Sequence, residues 1–301
     1  MPVCHLPAQA VRDLDWVLTS PSLVRPIPEA SLVSPDLTST TRQWLQMLYQ
    51  DPTPLLAHLH QRNTRRLGNY FESLWEFWLQ HQPHLQLISQ RQQIYHQGKT
   101  VGEFDFIIWD EQLRQHRHQE LAVKFYLGIV ESPHDEPQTF WKGPNAIDRL
   151  DLKLAKLRHQ QLRLREHPIA QQWLHTRGIT NLVPELLLKG YLFYPLEQSI
   201  APPVVAGDHH LRGKWLYLKQ LEQLLPQGEH WLVLAKTCWL SPARALAEHL
   251  LSVTQLRDRV RRHFETSSQA ILLAALKEHQ GVWQESERYF VVADSWPGPR
   301  D

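Results

Sequence analysis

Hydrophobic residues recur along the central part of the chain with two different periods, and the period changes near residue 83. Within NTRRLGNYFESLWEFWLQHQ (residues 63–82), apolar side chains repeat every three to four positions, which predicts an amphipathic helix that ends before Pro83. The runs at 86–96, 101–109 and 119–127 contain the alternating or continuous hydrophobic residues typical of strands. The segment HQGKT joins the first two runs and predicts a hairpin turn.

A second helix and a fourth strand complete the central pattern. The segment GPNAIDRLDLKLAKLRHQQLRLREHP (143–168) predicts a long helix with a stripe of leucines, and LLLKGYLFYP (186–195) predicts a buried strand. The central segment therefore runs helix, three strands, helix, strand. This order predicts a fold of the α/β (α+β) class, with helices and strands in one unit.

Shorter patterns flank this centre. On the N-terminal side they predict a helix over 9–21, a connector rich in proline and serine, and a helical pair broken at Pro52 and Pro54. On the C-terminal side they predict a helix near 219–225, the apolar run HWLVLAKTCWL, and helices over about 242–278.

These patterns divide the chain into three parts. We expect an N-terminal helical segment (1–61), a central core (62–195) and a C-terminal α/β extension (196–301). The extension either forms a domain of its own or continues the sheet of the core, and the pattern leaves both arrangements open.

Composition limits the classes of function. The 301 residues are 42% hydrophobic, which is enough to bury a sizeable core, and 32 basic against 31 acidic residues give a formal charge of +1. Any surface that binds nucleic acid must therefore be local.

Two cysteines are too few for a disulfide framework, and neither an export signal nor an apolar membrane segment is present. We expect a cytoplasmic protein that does not bind membranes; its oligomeric state is not predicted.

Two neighbouring predicted strands contain charged residues. Asp105 lies between Phe104 and Phe106, while Glu120 and Lys124 belong to the next strand and share one of its faces. If the two charged faces meet, carboxylates and an ammonium are buried together, which is stable mainly when such groups are paired or bind a metal. Carboxylates suit Mg²⁺, and a nearby lysine can activate water or offset charge on phosphorus. This chemistry hydrolyses phosphodiesters.

The two predicted helices of the centre add further candidates. Glu72 follows Gly68 by one helical turn and can supply a third carboxylate. On the 143–168 helix, polar and basic residues form a strip beside the leucines that could follow a phosphate backbone. The strip consists of Arg149, Lys153, Lys156, Gln160 and Arg163.

Each of these signals also has a purely structural interpretation. Asp105 could lie on the solvent face of a half-exposed strand, and Glu120 with Lys124 could be an ordinary ion pair. Glu72 and the basic strip could be solvated helix surfaces. Motifs for nucleoside triphosphate binding, dinucleotide binding, serine hydrolases and HExxH zinc sites are absent from the sequence.

Several segments resemble a known superfamily. RLGNYFESLWEFWL, GEFDFII, ELAVKFYL and GPNAIDRLDLKLAKL together resemble the PD-(D/E)XK nuclease-like superfamily and, more closely and over most of the chain, the bacterial family DUF1853, whose function is uncharacterised. The superfamily resemblance implies a restriction-endonuclease-like αβββαβ core over 62–195, with a mixed central sheet flanked by helices. It also implies Mg²⁺-dependent or Mn²⁺-dependent cleavage of nucleic acid, with DNA favoured over RNA.

The resemblance assigns roles by position. Asp105 would be the metal-binding aspartate, Lys124 the motif lysine and Glu72 the helix carboxylate. The chain departs from the superfamily at Ala122, where an acidic residue usually stands two positions before the lysine. Glu120 lies about 6–7 Å further along the same strand face and could be a migrated carboxylate. We therefore expect Asp105, Glu120 and Glu72 as metal ligands.

Two hypotheses from different classes follow. In the first, the protein is a metal-dependent nuclease in which Lys124 assists the attacking water. In the second, the nuclease-like core has lost its chemistry and binds nucleic acid or a protein partner, as Ala122 and the near-zero net charge would allow.

Overall fold

The computed structural model of the protein describes residues 7–62, 64–131, 138–225 and 230–298. The helices in these ranges, in chain order, are α1 (Pro7–Thr19), α2 (Ser39–Gln50), α3 (Thr53–His60), α4 (Leu67–Gln80), α5 (Leu150–Lys156), α6 (Pro168–His175), α7 (Leu221–Leu224) and α8 (Val253–Thr266). No helix in the described ranges is long and apolar enough to cross a membrane.

The strands in these ranges are β1 (Ser31–Leu32), β2 (Leu85–His96), β3 (Lys99–Asp110), β4 (Gln115–Glu131), β5 (Gln138–Lys142), β6 (Leu182–Pro195), β7 (Leu211–Tyr217), β8 (His230–Leu234), β9 (Arg244–Ala245), β10 (Ile271–His279) and β11 (Val282–Val292). They form one eleven-stranded mixed sheet with the main order β2-β3-β4-β6-β7-β11-β10-β8. The strands after residue 196 are therefore in the same sheet as those before it.

The centre of the sheet is parallel and its ends are antiparallel. β4, β6, β7 and β11 pair in parallel, whereas β2, β3 and β4 at one end and β11, β10 and β8 at the other pair antiparallel. The long hydrophobic run of β6 agrees with this position, because a central parallel strand is covered on both faces. The protein is thus a mixed α/β fold with a large central sheet.

Helices cover both faces of the sheet. Alternate residues of the C-terminal hairpin point to opposite sides: Leu272 and Phe290 join the hydrophobic cluster of α1–α4, while Leu273 and Tyr289 join the cluster of α7 and α8. The leucines of α5 pack against β4 and β6 in a further cluster. This alternation follows from the period of two along a strand.

A buried aspartate connects elements that are distant in sequence. Asp13 on α1 has no exposed surface and accepts hydrogen bonds from Gln9 Nε2 (2.9 Å), Tyr70 Oη (2.9 Å) and both the backbone N (3.1 Å) and Oγ (2.6 Å) of Ser241. Burial raises the pKa of its carboxyl, and the hydrogen bonds oppose that shift. The N-terminal helix is thereby attached to α4 and to the loop before β9.

The predicted helix at 63–82 and the four central strands are present. The helix begins at Leu67, and Asn63 lies outside the described residues. The first two strands form the predicted hairpin, in which Gln97 and Gly98 have positive φ.

The prediction of one helix over 143–168 is wrong in its extent. Regular α-helix ends at Lys156, and a π-helical turn follows over Leu157–Gln161, closed by the hydrogen bond from Leu162 N to Leu157 O. Pro168 has no N–H to continue a helix and begins the separate helix α6.

The prediction of helices over about 242–278 is also wrong in part. α8 occupies the middle of that range, but Ile271–His279 is the strand β10. The apolar run ILLAAL has no periodicity that separates a strand from a buried helix. The deciding feature is the following pair Gln280 and Gly281, whose positive φ values of 51° and 78° form a two-residue hairpin turn to β11.

A glycine permits close contact between the two central strands. Gly190 on β6 has φ +138°, and a Cβ built there would lie 1.7 Å from the carbonyl oxygen of Lys124 on β4. We predict that Gly190→Ala lowers the free energy of unfolding by at least about 3 kcal/mol, because a strained backbone and a backbone clash add together. Chemical denaturation would measure the change.

The matched control is Gly68→Ala. Gly68 lies in α4 with nothing within 4 Å of a built Cβ, so alanine should leave stability unchanged or raise it by up to about 1 kcal/mol. Equal stability of wild type and Gly190→Ala would contradict the close contact.

Candidate active site

The candidate site lies where β3 and β4 separate. The last paired positions of these antiparallel strands are Phe106 and Gln119. Beyond them, the backbone N–H of Leu121 donates to Oδ2 of Asp105 at 2.9 Å. A carboxylate therefore takes the place of a backbone carbonyl in the ladder, which fixes its position between the two strands.

An irregularity in β3 explains an aspartate between two phenylalanines. Phe104 packs in the cluster that contains Leu164, whereas Phe106 packs in the cluster of α4, although residues two apart normally share a face. The neighbouring strand β2 is irregular at the same level, where Arg91 has φ +49°. Asp105 lies at the point where the side chains of β3 change faces.

The carboxyls of Asp105 and Glu120 are both costly to ionise. Glu120 on β4 is 1% exposed, and burial together with the nearby Asp105 carboxyl raises its pKa well above the usual range. Burial, with a further contribution from Glu72, raises the pKa of Asp105 to about 7. Two close carboxyls with raised pKa values are expected to share a proton or a cation.

A glutamine and a lysine compensate this buried charge. Lys153 Nζ on α5 donates to Gln161 Oε1 at 3.0 Å, and Gln161 Nε2 donates to Oε1 of Glu120. Burial lowers the pKa of Lys153, and the Glu120 carboxyl opposes that shift. Gln161 is the last residue of the π-helical turn, so that turn directs the side chain to Glu120.

Part of the cluster has no hydrogen-bond partner. Oε2 of Glu120 and both ring nitrogens of His118 are buried and have no partner among the residues that the structure describes. His118 Nε2 is 3.8 Å from Glu120 Oε2, too far for a hydrogen bond. Burial lowers the pKa of His118 to about 3, so its ring is neutral at physiological pH. Glu120 therefore keeps one buried oxygen without a hydrogen bond from any described residue.

Lys124 is held by a carboxylate other than those of Asp105 and Glu120. Its ammonium forms a hydrogen-bonded ion pair with Oδ2 of Asp148, and the side chains of both residues are about one third exposed. Asp148 belongs to the loop before α5, which a hydrogen bond from Gly143 N to Asp148 O closes at 2.7 Å. Lys124 is thus oriented by a carboxylate that lies outside the Asp105–Glu120 pair.

An open cavity of about 610 Å³ lies beside this cluster, and neither Asp105 nor Glu120 is among the described residues that line it. Glu72, Lys124, Asp148 and Lys153 line it, together with Ala122 and the exposed pair Arg65 and Arg66 at the start of α4. Glu72 Oε2 accepts a hydrogen bond from Arg91 Nε at 2.7 Å, and burial raises the pKa of its carboxyl. The cavity therefore has both acidic groups and exposed arginines that form no ion pair with any described residue.

The predicted basic strip is only partly at this cavity. Lys153 lines it, whereas Arg149 pairs with Asp151 (2.6 Å), and Lys156 and Gln160 are exposed to solvent elsewhere on the helix. The strip was deduced from regular α-helical spacing. The π-helical turn shifts the register by one residue, so Gln161 contacts Glu120 where Gln160 was expected to face the ligand.

Within the described ranges, no group of three or more histidine, cysteine, aspartate or glutamate side chains is arranged to hold a metal ion. Only Asp105 and Glu120 supply carboxylates where β3 and β4 separate, because the Glu72 carboxylate forms an ion pair with Arg91. Any metal held here would take only part of its ligands from the protein.

Comparison with known proteins identifies the family. The model of the family named Domain of unknown function (DUF1853) matches residues 12–292. The chain belongs to the DUF1853 family. No curated protein and no solved structure matches it. The matched residues run from α1 to the end of β11 and include every residue that lines the cavity of this DUF1853 protein.

Two residues of the site escaped sequence reasoning. Gln161 could have been found only by expecting a π-helical turn in LRHQQ, for which the sequence gives no clear signal. Asp148 comes from a loop that was predicted to be helical. Its contact with Lys124 depends on the tertiary path of residues 143–149 and on no local pattern.

We predict that Gln161→Ala lowers the free energy of unfolding by about 1–3 kcal/mol, because it leaves the buried Glu120 and Lys153 without their shared partner. Gln160→Ala is the control, since Gln160 is exposed and should stay within about 0.5 kcal/mol of wild type. Urea denaturation of the three proteins measures this. Equal values for both variants would argue against the π-helical register.

We also predict a characteristic pH dependence in the absence of divalent metal. The folded pKa of Asp105, about 7, exceeds the unfolded value of about 3.9, so its stabilising contribution is complete below pH 4 and is lost as pH rises through 7. Between about pH 5 and 8 in EDTA, wild type should lose about 1–3 kcal/mol more stability than Asp105→Asn, which has no such proton to release. Parallel pH profiles of the two proteins would refute the raised pKa.

Proposed function

We propose that this protein is a Mg²⁺-dependent or Mn²⁺-dependent nuclease that hydrolyses phosphodiester bonds. The observation that carries the proposal is the buried pair Asp105 and Glu120, whose carboxyls both have raised pKa values, beside an open cavity lined by Lys124 and Lys153. A divalent cation would remove the cost of placing two carboxylates together. Phosphate groups would then meet the cations at the rim.

The protein's groups fit a magnesium ion. Glu120 Oε2 is a buried oxygen without a hydrogen-bond partner among the described residues, and Asp105 retains an oxygen that Leu121 does not use. Mg²⁺ commonly binds through one or two carboxylates and completes its shell with water and substrate phosphate, so a carboxylate pair suffices. Glu72 would be a third ligand if it exchanged its contact with Arg91. The ion would supply an activated water and neutralise charge on the phosphate.

The remaining residues would position the metal-binding carboxylates and stabilise the negative charge of the substrate. Gln161 holds the Glu120 carboxyl by one oxygen and leaves the other free, while Lys153 lowers the energy of the ionised pair. Lys124, held by Asp148, presents an ammonium to the cavity that can orient water or balance charge developing on phosphorus. Arg65 and Arg66 are suited to the neighbouring phosphates.

The order α4-β2-β3-β4-β5-α5-α6-β6 contains the αβββαβ elements with β5 and α6 added, and it supports assignment of residues 62–195 to the restriction-endonuclease-like core of the PD-(D/E)XK superfamily. Nucleic acid is accordingly the proposed substrate, with DNA favoured over RNA. In the same proposal Lys153 contacts substrate from inside the cavity, while Arg149, Lys156 and Gln160 would act only on a longer nucleic acid that reaches beyond it.

A second candidate is a binding module without catalysis. Ala122 at the usual acidic position and the absence of a three-residue metal group among the described residues favour it. Such a module would bind nucleic acid or a protein partner through the same cavity.

The decisive experiment incubates labelled single- and double-stranded DNA and RNA with wild type, Asp105→Asn and Lys124→Ala in Mg²⁺ or Mn²⁺. We expect cleavage by wild type and a loss of at least about 100-fold in both variants. Calorimetry should show Mg²⁺ binding that Asp105→Asn abolishes and Lys124→Ala retains. Lys277→Ala, an exposed lysine that does not line the cavity, controls for general charge effects.

Two outcomes decide against the nuclease. In the first, Mg²⁺ binds neither to the free protein nor to the protein mixed with nucleic acid, and no substrate is cleaved. The carboxyl pair would then be a structural feature. If nucleic acid binds with equal affinity to wild type and Lys124→Ala and is never cleaved, the binding module is the better description.

A further inference from the structure

A second cavity continues from the candidate active site into the C-terminal part of the sheet. It has a volume of about 670 Å³ and lies against β8, the start of β10 and the segment that follows β11. Pro144, Asn145, Lys236 and Trp239 line both cavities. The two spaces are therefore adjacent parts of one cleft, with Lys236 and Trp239 at the junction.

The two cavities differ in charge. The first contains Glu72 and Asp148, whereas no aspartate or glutamate occurs among the described residues that line the second. The second cavity instead offers Lys236 and His263, the polar side chains of Asn145 and Gln269, and indole rings. This combination favours an anionic ligand with planar groups over a metal or a cation.

Lys236 is free to bind such a ligand. It is exposed and makes no ion pair or hydrogen bond with any described residue, and its ammonium lies 5.7 Å from the ring centroid of Trp239. His263 is in hydrogen-bond contact through Nε2 with the carbonyl oxygen of Gln269 at 2.7 Å. That acceptor requires Nε2 to carry a proton, which leaves Nδ1 for a ligand.

Trp296 adds a buried donor to the wall of the cavity. The residue is 8% exposed, and its indole Nε1 has no hydrogen-bond partner among the described residues. A buried N–H without a partner in the protein is costly, so this indole favours a ligand that can accept its hydrogen bond.

We propose that the second cavity binds a single nucleic-acid strand next to the phosphate at the carboxyl pair, with Lys236 contacting the backbone where the strand passes between the cavities. This inference rests on the proposed function, since it names the form of substrate that the same cleft takes. Each cavity is in the size range of small-ligand sites, so an intact duplex is too wide to enter both. A basic groove with aromatic groups is the usual means of binding a single strand without sequence preference.

The test measures strand binding separately from cleavage. Fluorescence anisotropy in EDTA would follow labelled single-stranded DNA and RNA of about 12 nucleotides, and a matched duplex, between about 50 and 200 mM salt. The proteins are wild type, Lys236→Ala, Lys236→Arg and the control Lys277→Ala. Cleavage in Mg²⁺ or Mn²⁺ is measured on the same preparations. Lys236 is exposed, so its variants should fold, and thermal unfolding checks this.

We expect single strands to bind more tightly than the duplex, and Lys236→Ala to weaken strand binding about tenfold. Losing one phosphate contact should also reduce the slope of log K against log salt by about 0.7 for a single strand. Lys236→Arg and Lys277→Ala should behave like wild type.

The inference is overturned if Lys236→Ala binds strands as wild type does with an unchanged salt slope, if the duplex binds best, or if no strand binds. Cleavage that persists in those cases would leave the nuclease proposal standing. Conversely, strand binding that depends on Lys236, with no cleavage under either metal, supports the second cavity and rejects the nuclease.

Discussion

The burial of two carboxyl groups at the separation of β3 and β4 is the constraint on which the rest of the site depends. An ionised carboxylate in a poorly solvated position is destabilising, and a second one beside it more so. Each neighbouring contact reduces this cost: the Leu121 N–H reaches Asp105, and Gln161 and Lys153 together reach Glu120. Compensation is still incomplete, since the pKa of both carboxyls remains raised. A divalent cation beside Lys153 would complete the compensation, and this is the physical reason to propose a metal site.

Irregular backbone at three places makes the arrangement attainable. The irregularity of β3 and β2 at Asp105 and Arg91 directs neighbouring phenylalanines to opposite cores. The π-helical turn brings Gln161 to Glu120, and Gly190 permits β6 to approach the backbone of Lys124. Such departures from regular geometry reduce local stability and persist where the surrounding structure holds them. All three places adjoin residues of the candidate site: Arg91 pairs with Glu72, Gln161 contacts Glu120, and Gly190 lies against the backbone of Lys124.

Sequence patterns predicted the regular elements and failed at these irregular ones. The helix α4 and the strands β2, β3, β4 and β6 follow from hydrophobic period, and the charges at Asp105, Glu120 and Lys124 stand out because they interrupt apolar strands. Gln161 was missed because a spacing of 3.6 residues was assumed through a segment that has a π-helical turn. β10 was missed because the run ILLAAL is compatible with helix or strand, and the two-residue turn after it was not used. Asp148 could not be predicted, since tertiary structure alone brings its loop to Lys124.

The surroundings of Ala122 and Glu120 bear directly on whether an acid could have moved along β4. Ala122 packs against Leu150 and Leu154 of α5 at the wall of the cavity, where a carboxylate would have apolar neighbours on one side. Glu120, two residues earlier on the same face, has instead Gln161 and Lys153 within reach. The acid at 120 is compensated by the glutamine and lysine of the 150–161 segment. Glu120, Lys153 and Gln161 form one interdependent unit, which is the form that a displaced metal ligand would take.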